Sequence, residues 1–240
     1  TIVLVASLGG WLQLEWQALR WQVRGTSTMS TTTKLILNFD VNETIMVGDP
    51  ASGDSFEDSL NKIICKSACL RVKDSAAEDI MQRFEWHDGT PLDPSQRNAE
   101  MGVPELVTTW TRPPGVSSFY DIIDLKKKFA KIFTHDSSPG RIYRPLLDEL
   151  DGKLRVPPAL PALHPDLTHA DGAHQFLLPA FLRALAHLAS CRRDFALAIR
   201  TFGTDGPKAV AALRAWSAGL HPLLPPPPTP VAVSSAWQGD

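Results

Sequence analysis

Cysteine is scarce: Cys65, Cys69 and Cys191 are the three among 240 residues. So few, so unevenly spaced, exclude a disulfide framework, and reduced thiols fit a cytoplasmic chain. Charge of one sign is not in excess, with 24 Lys and Arg against 26 Asp and Glu. That balance gives no general attraction to nucleic acid or to an anionic membrane. Long hydrophobic runs are also missing. The apolar stretch over residues 1–12 is closed by Glu15 and Arg20, short of a membrane span. No basic region leads it, as a signal peptide needs, and no Met precedes Met29. Residues 1–28 therefore read as a non-native leader, with the natural start at Met29. The 240-residue chain as a whole, 43% apolar and 21% charged, has ordinary globular composition.

One stretch organises the rest: Lys34-Leu-Ile-Leu-Asn-Phe-Asp40-Val-Asn42-Glu-Thr44-Ile45. Leu35, Ile36, Leu37 and Phe39 suit a buried strand, interrupted only by Asn38. An acid where such a strand runs out stands at the carboxyl edge of a sheet, where open α/β folds bind ligands. Asn42 and Thr44 follow at alternate positions and share a face with Asp40 if the chain stays extended.

Downstream, Phe56, Leu60, Ile63, Ile64 and Ala68 repeat at three and four residues, predicting a helix over 55–70 with Asp54 and Ser55 as cap. It would carry Cys65 and Cys69 one turn apart, as packing. A second helix is predicted over 75–86. Prolines break 90–116 into loop, with one short element near 105–110. Helices follow over 117–133, with Lys126, Lys127, Lys128 and Lys131 as a solvated face, and over 143–150. A rigid Pro-bearing connection over 156–165 leads into His164, His169 and His174, whose five-residue steps do not by themselves converge on a metal. A helix over 173–189 leads to the apolar run Phe195-Ala-Leu-Ala-Ile-Arg-Thr201, which reads as a covered parallel strand. Gly206-Pro207 opens another helix, Gly219 ends it, and prolines dominate 223–230.

Asp-x-Asn-x-Thr behind an apolar strand, with a second apolar strand closing in Thr201, resembles the first and second motifs of the haloacid dehalogenase superfamily of hydrolases. The resemblance implies an α/β fold: a partial Rossmann-like parallel-sheet core at 29–53 and 173–220, with a largely helical cap inserted at 54–172. A Pro-rich tail takes 221–240. It implies a phosphatase or phosphotransferase acting on a small phosphorylated molecule. Asp40 would be the nucleophile forming an aspartyl-phosphate. Its other oxygen and the Asn42 carbonyl would bind Mg²⁺. Thr44, Thr201, the backbone of Phe202 and Gly203, and Lys208 would hold the phosphoryl group.

Three departures stand beside it. Asn42 replaces the family's second Asp and cannot exchange a proton. No strand ending in paired acids follows Thr201. Two parallel strands do not make an independent doubly wound sheet. A chain cut short beyond about residue 220, with little activity, is the simplest expectation. The alternative is a catalytically inactive α/β binding module, with Trp86, Trp110, Phe119 and Tyr120 as interface or, more cheaply, as core.

Overall fold

Leu35–Asp40 forms β1, in which Leu35 and Leu37 are buried while Ile36 is exposed. That period-two alternation belongs to a strand covered on one face only. The structure, a computed structural model, describes residues 35–48, 52–98, 100–160, 163–201 and 205–227. Residues 1–28, expected to be a leader, and the end of the Pro-rich tail lie outside the described residues. Those described fall into two compact units, one of residues 35–48 and 154–227, the other of residues 52–153. The expected insert was 54–172; residues 154–172 group with the strands of the first unit.

In the second unit, α1 spans Phe56–Ser67 and opens on a capping box between Ser55 and Asp58. Phe56, Leu60 and Ile64 bury one face. The predicted continuation to Leu70 does not occur. Ala68 is extended, and Cys69–Val72 becomes β2. Ala68, Cys69 and Leu70 are consecutively buried, as suits the central strand of a sheet rather than one helix face. Cys65 and Cys69 thus lie on different elements, both buried and free, and burial raises both thiol pKa values.

The helix predicted over 75–86 shrinks to the single turn α2, Ile80–Arg83, followed by β3, Phe84–Trp86. Antiparallel pairing sets Leu70 against Trp86 and Arg71 against Glu85, whose side chains pair at 2.6 Å. The predicted helix over 117–133 begins instead as β4, Ser117–Ser118, on the other edge of β2. A 3₁₀ turn at Phe119–Asp121 leads to α3, Ile123–Phe129. The element expected near 105–110 is loop. α4, Arg144–Leu154, runs past the Gly152 expected to end it. The sheet order is β3-β2-β4, so this unit is mixed rather than largely helical. Trp86 and Phe119 are fully buried in it, while Trp110 is exposed. The lysines spread out: Lys126 lies over the Tyr120 ring and Lys128 over Phe129, while Lys131 pairs with Asp54.

Asp54 fastens the start of α1. Its carboxylate is closed off from solvent and meets Lys62 and Lys131. Burial alone would raise its pKa, but hydrogen bonds from Lys131, Lys62 and Ser52 outweigh that and bring it from 3.8 to about 2. A depressed carboxylate stabilises the fold above its ordinary value and ceases to as pH falls through the folded one. Allowing for solvent around Lys131, Asp54→Asn is expected to cost about 1–2 kcal/mol at pH 7. The gap should close towards pH 2 in urea titrations; a gap constant with pH would refute the assignment.

In the first unit, α5 spans Pro179–Ser190, β5 Phe195–Arg200 and α6 Asp205–Ser217. α5 starts later than the predicted 173 because the preceding backbone is spent elsewhere. Gln175 N–H bonds Leu154 O, Phe176 N–H bonds Leu167 O, and Leu178 N–H bonds Ile45 O. β1 and β5 are parallel, in register from Leu35↔Phe195 to Asp40↔Arg200. Phe181 of α5 meets Phe39 edge-to-face at 5.1 Å, covering the face on which Leu35 and Leu37 are buried. Ala209, Ala212, Leu213 and Trp216 bury one side of α6. The first part of the Pro-rich tail is held rather than loose: Trp216 Nε1 donates to Pro225 O at 3.1 Å. Among the described residues the parallel sheet has two strands, so a full Rossmann-like core is not formed by them.

Candidate functional site

Parallel strands in register end together. Asp40, the last residue of β1, is exposed opposite Arg200, and Thr201 is the next residue of the neighbouring strand. The apolar run of each strand sets this geometry, because it fixes where pairing stops.

Beyond Asp40 the chain closes into one tight turn. The N–H groups of Thr44, Ile45 and Met46 all point to Val41 O, at 3.3, 3.1 and 3.3 Å. Glu43 has φ 55, the left-handed conformation the turn requires. Val41, Ile45, Met46 and Val47 are buried and anchor the turn, leaving Asn42, Glu43 and Thr44 half-exposed. Four apolar anchors below and three polar residues above make a held loop rather than a floppy one.

On the other strand, Thr201 is half-buried. Its methyl group would lie 3.3 Å from a Cβ placed on Gly206, so the first turn of α6 packs closely beneath it. Phe202 and Gly203, expected to offer backbone N–H groups, lie outside the described residues. Lys208 is drawn to the Phe176 ring, its ammonium 4.6 Å from the centroid, a cation–π contact. The structure thus brings Asp40 and Thr201 to one edge by strand pairing and Asn42 and Thr44 to the same turn.

Two groups escaped the sequence reading. Arg200 neighbours Asp40 only through the register, although aligning the two strands by their ends exposes it. The other is a carboxylate shared by two imidazoles: Asp171 Oδ2 lies 3.2 Å from Nδ1 of His169 and 2.7 Å from Nδ1 of His174. His164, the third of the evenly spaced histidines, instead faces Asp166 at 3.6 Å. Among the described residues no three His, Cys, Asp or Glu side chains converge as a metal site. For Mg²⁺ the test is the donor set. One exposed carboxylate at a strand end and nearby backbone carbonyls are hard oxygen donors of the right kind, with water and substrate supplying the rest.

The fold and this edge define a mixed α/β protein whose small parallel sheet ends in an acid on one strand and a hydroxyl on the next. No family model, curated protein or solved structure matches the chain. No helix of the described residues is long and apolar enough to cross a membrane.

Proposed function

We propose that this chain is a haloacid dehalogenase-like hydrolase whose Asp40 takes a phosphoryl group from a small phosphorylated molecule. The observation that carries the reading is the parallel register that ends β1 at Asp40 and β5 one residue before Thr201. The buried-anchored turn after Asp40 supports it, because a nucleophile needs its neighbours fixed.

An Asp40 carboxylate oxygen attacks phosphorus, the ester P–O bond breaks, and the leaving oxygen departs with its electron pair. The Thr201 hydroxyl donates to a phosphoryl oxygen. Arg200, opposite Asp40, and Lys208, on the following helix, offset the substrate's charge. Asp40 and the Asn42 carbonyl would hold Mg²⁺, which when bound neutralises phosphoryl charge as a Lewis acid. A cytoplasmic location is part of the same proposal, with which three free cysteines are compatible.

Beryllofluoride with Mg²⁺ is expected to form a stable adduct at Asp40, seen as a new protein-bound ¹⁹F resonance. Asp40→Asn should abolish it. An intact, folded chain giving no adduct would favour the alternative, an α/β binding module that keeps the fold without the chemistry.

A further inference from the structure

The start of the Pro-rich segment is fastened to the first unit at several points. Gly219 ends α6 with φ +79, and a Cβ placed on it would stand 3.7 Å from the Pro226 ring. Trp216 Nε1 donates to Pro225 O at 3.1 Å. His221 is buried, and its Nδ1 accepts the N–H groups of Leu223 and Leu224, both at 3.2 Å. Beyond that bend, covalent geometry decides the conformation. Pro225, Pro226 and Pro227 each hold φ near about −65°. Leu224, Pro225 and Pro226 each precede a proline, which keeps them out of the helical region. The product is polyproline II, with about three residues per turn. Exposure follows that period. Leu224 and Pro227, on one ridge, are buried, while Pro225 and Pro226, on the other two, are exposed. Leu223, just before them, is exposed as well.

The chemistry of the two open ridges limits what can read them. Successive prolines carry no N–H groups, so no strand can pair with them as an acceptor. Ring faces and carbonyl oxygens remain. Residues 215–239 hold no Asp, Glu, Lys or Arg, so carboxylates or guanidinium groups on a partner would find no opposite charge. An uncharged groove of aromatic rings with N–H or O–H donors needs neither. Trp216 already makes such a contact within the chain, its indole donating to a prolyl carbonyl. We propose that residues 223–227 are a docking segment for a partner domain whose uncharged groove is lined by Trp and Tyr. The groove takes Pro225 and Pro226 while the ridge of Leu224 and Pro227 stays buried. Because the segment is held before it meets a partner, little of its backbone freedom is left to lose on binding. Docking here does not depend on the Asp40 chemistry.

The test titrates a ¹⁵N-labelled WW domain of the kind that binds proline runs with the full chain. Saturable shifts at its aromatic groove are expected, with a Kd below about 1 mM, and decaproline should compete. Pro225→Ala combined with Pro226→Ala should weaken binding by about tenfold or more. Both prolines are exposed, so the urea midpoint should hold. A synthetic peptide of residues 220–230 is the control for accessibility. Binding by the peptide but not by the full chain would show the open ridges to be covered, and would overturn the proposal. It would equally be overturned if neither bound a domain that takes decaproline, or if the double variant bound as the unaltered chain does.

Discussion

Asp40→Asn is expected to lower turnover of p-nitrophenyl phosphate by about 10⁴-fold or more, the size of loss seen when a covalent nucleophile is removed. The amide matches the carboxylate in shape but offers no anionic oxygen to phosphorus. Because Asp40 is exposed where β1 ends, the fold should hardly register the change, by within about 0.5 kcal/mol. An unaltered urea midpoint together with lost turnover separates chemistry from stability. Turnover surviving in Asp40→Asn would remove the nucleophile from the proposal whatever the midpoint did.

The largest stability effect belongs to Trp86. It is fully buried and meets Phe119, Phe133 and Tyr143 with ring centroids at 6.2, 6.3 and 5.6 Å. Trp86→Ala is expected to cost about 3–5 kcal/mol through lost burial and the void left behind. That is a large part of the roughly 5–15 kcal/mol a domain holds in all. The cluster has little room to collapse into the void. Phe133 is held closely by Gly140, where an added Cβ would stand 2.6 Å from ring atoms. Near-UV circular dichroism and urea unfolding should both report the loss. A cost below about 1 kcal/mol would mean the cluster repacks freely, contrary to close packing.

What was legible in the sequence was whatever a local pattern decides. Leu35–Phe39 and Phe195–Ile199 are apolar runs with sharp ends, so both strands and the positions of Asp40 and Thr201 could be read before pairing was known. Ser55 with Asp58 announced α1, and Pro207 announced α6. What failed was decided by partners distant in sequence. Cys69–Val72 continues the apolar rhythm of α1 and becomes a strand only because β3 and β4 flank it. Phe84–Trp86 is too short to show a period, and Ser117–Ser118 carries no strand signal at all. The site divides the same way. Asn42 and Thr44 were expected to share a face with Asp40 along an extended chain, but the chain turns at once, with the N–H groups of Thr44, Ile45 and Met46 on Val41 O, and Arg200 enters only through register. The histidines were read for even spacing, but the carboxylate of Asp171 is what joins two of them.

The pairing of Leu35 with Phe195 also sets a timetable. On a ribosome adding roughly 5–20 residues per second, β1 emerges and then waits on the order of ten to thirty seconds for its partner. Residues 52–153 meanwhile emerge with their whole antiparallel sheet and aromatic cluster, and so can condense first. A compact insert shortens the floppy chain that β1 must close across, so the entropic cost of joining β5 falls. Until then the apolar edge of β1 is bare, and that interval is when the nascent chain is most exposed to mispairing.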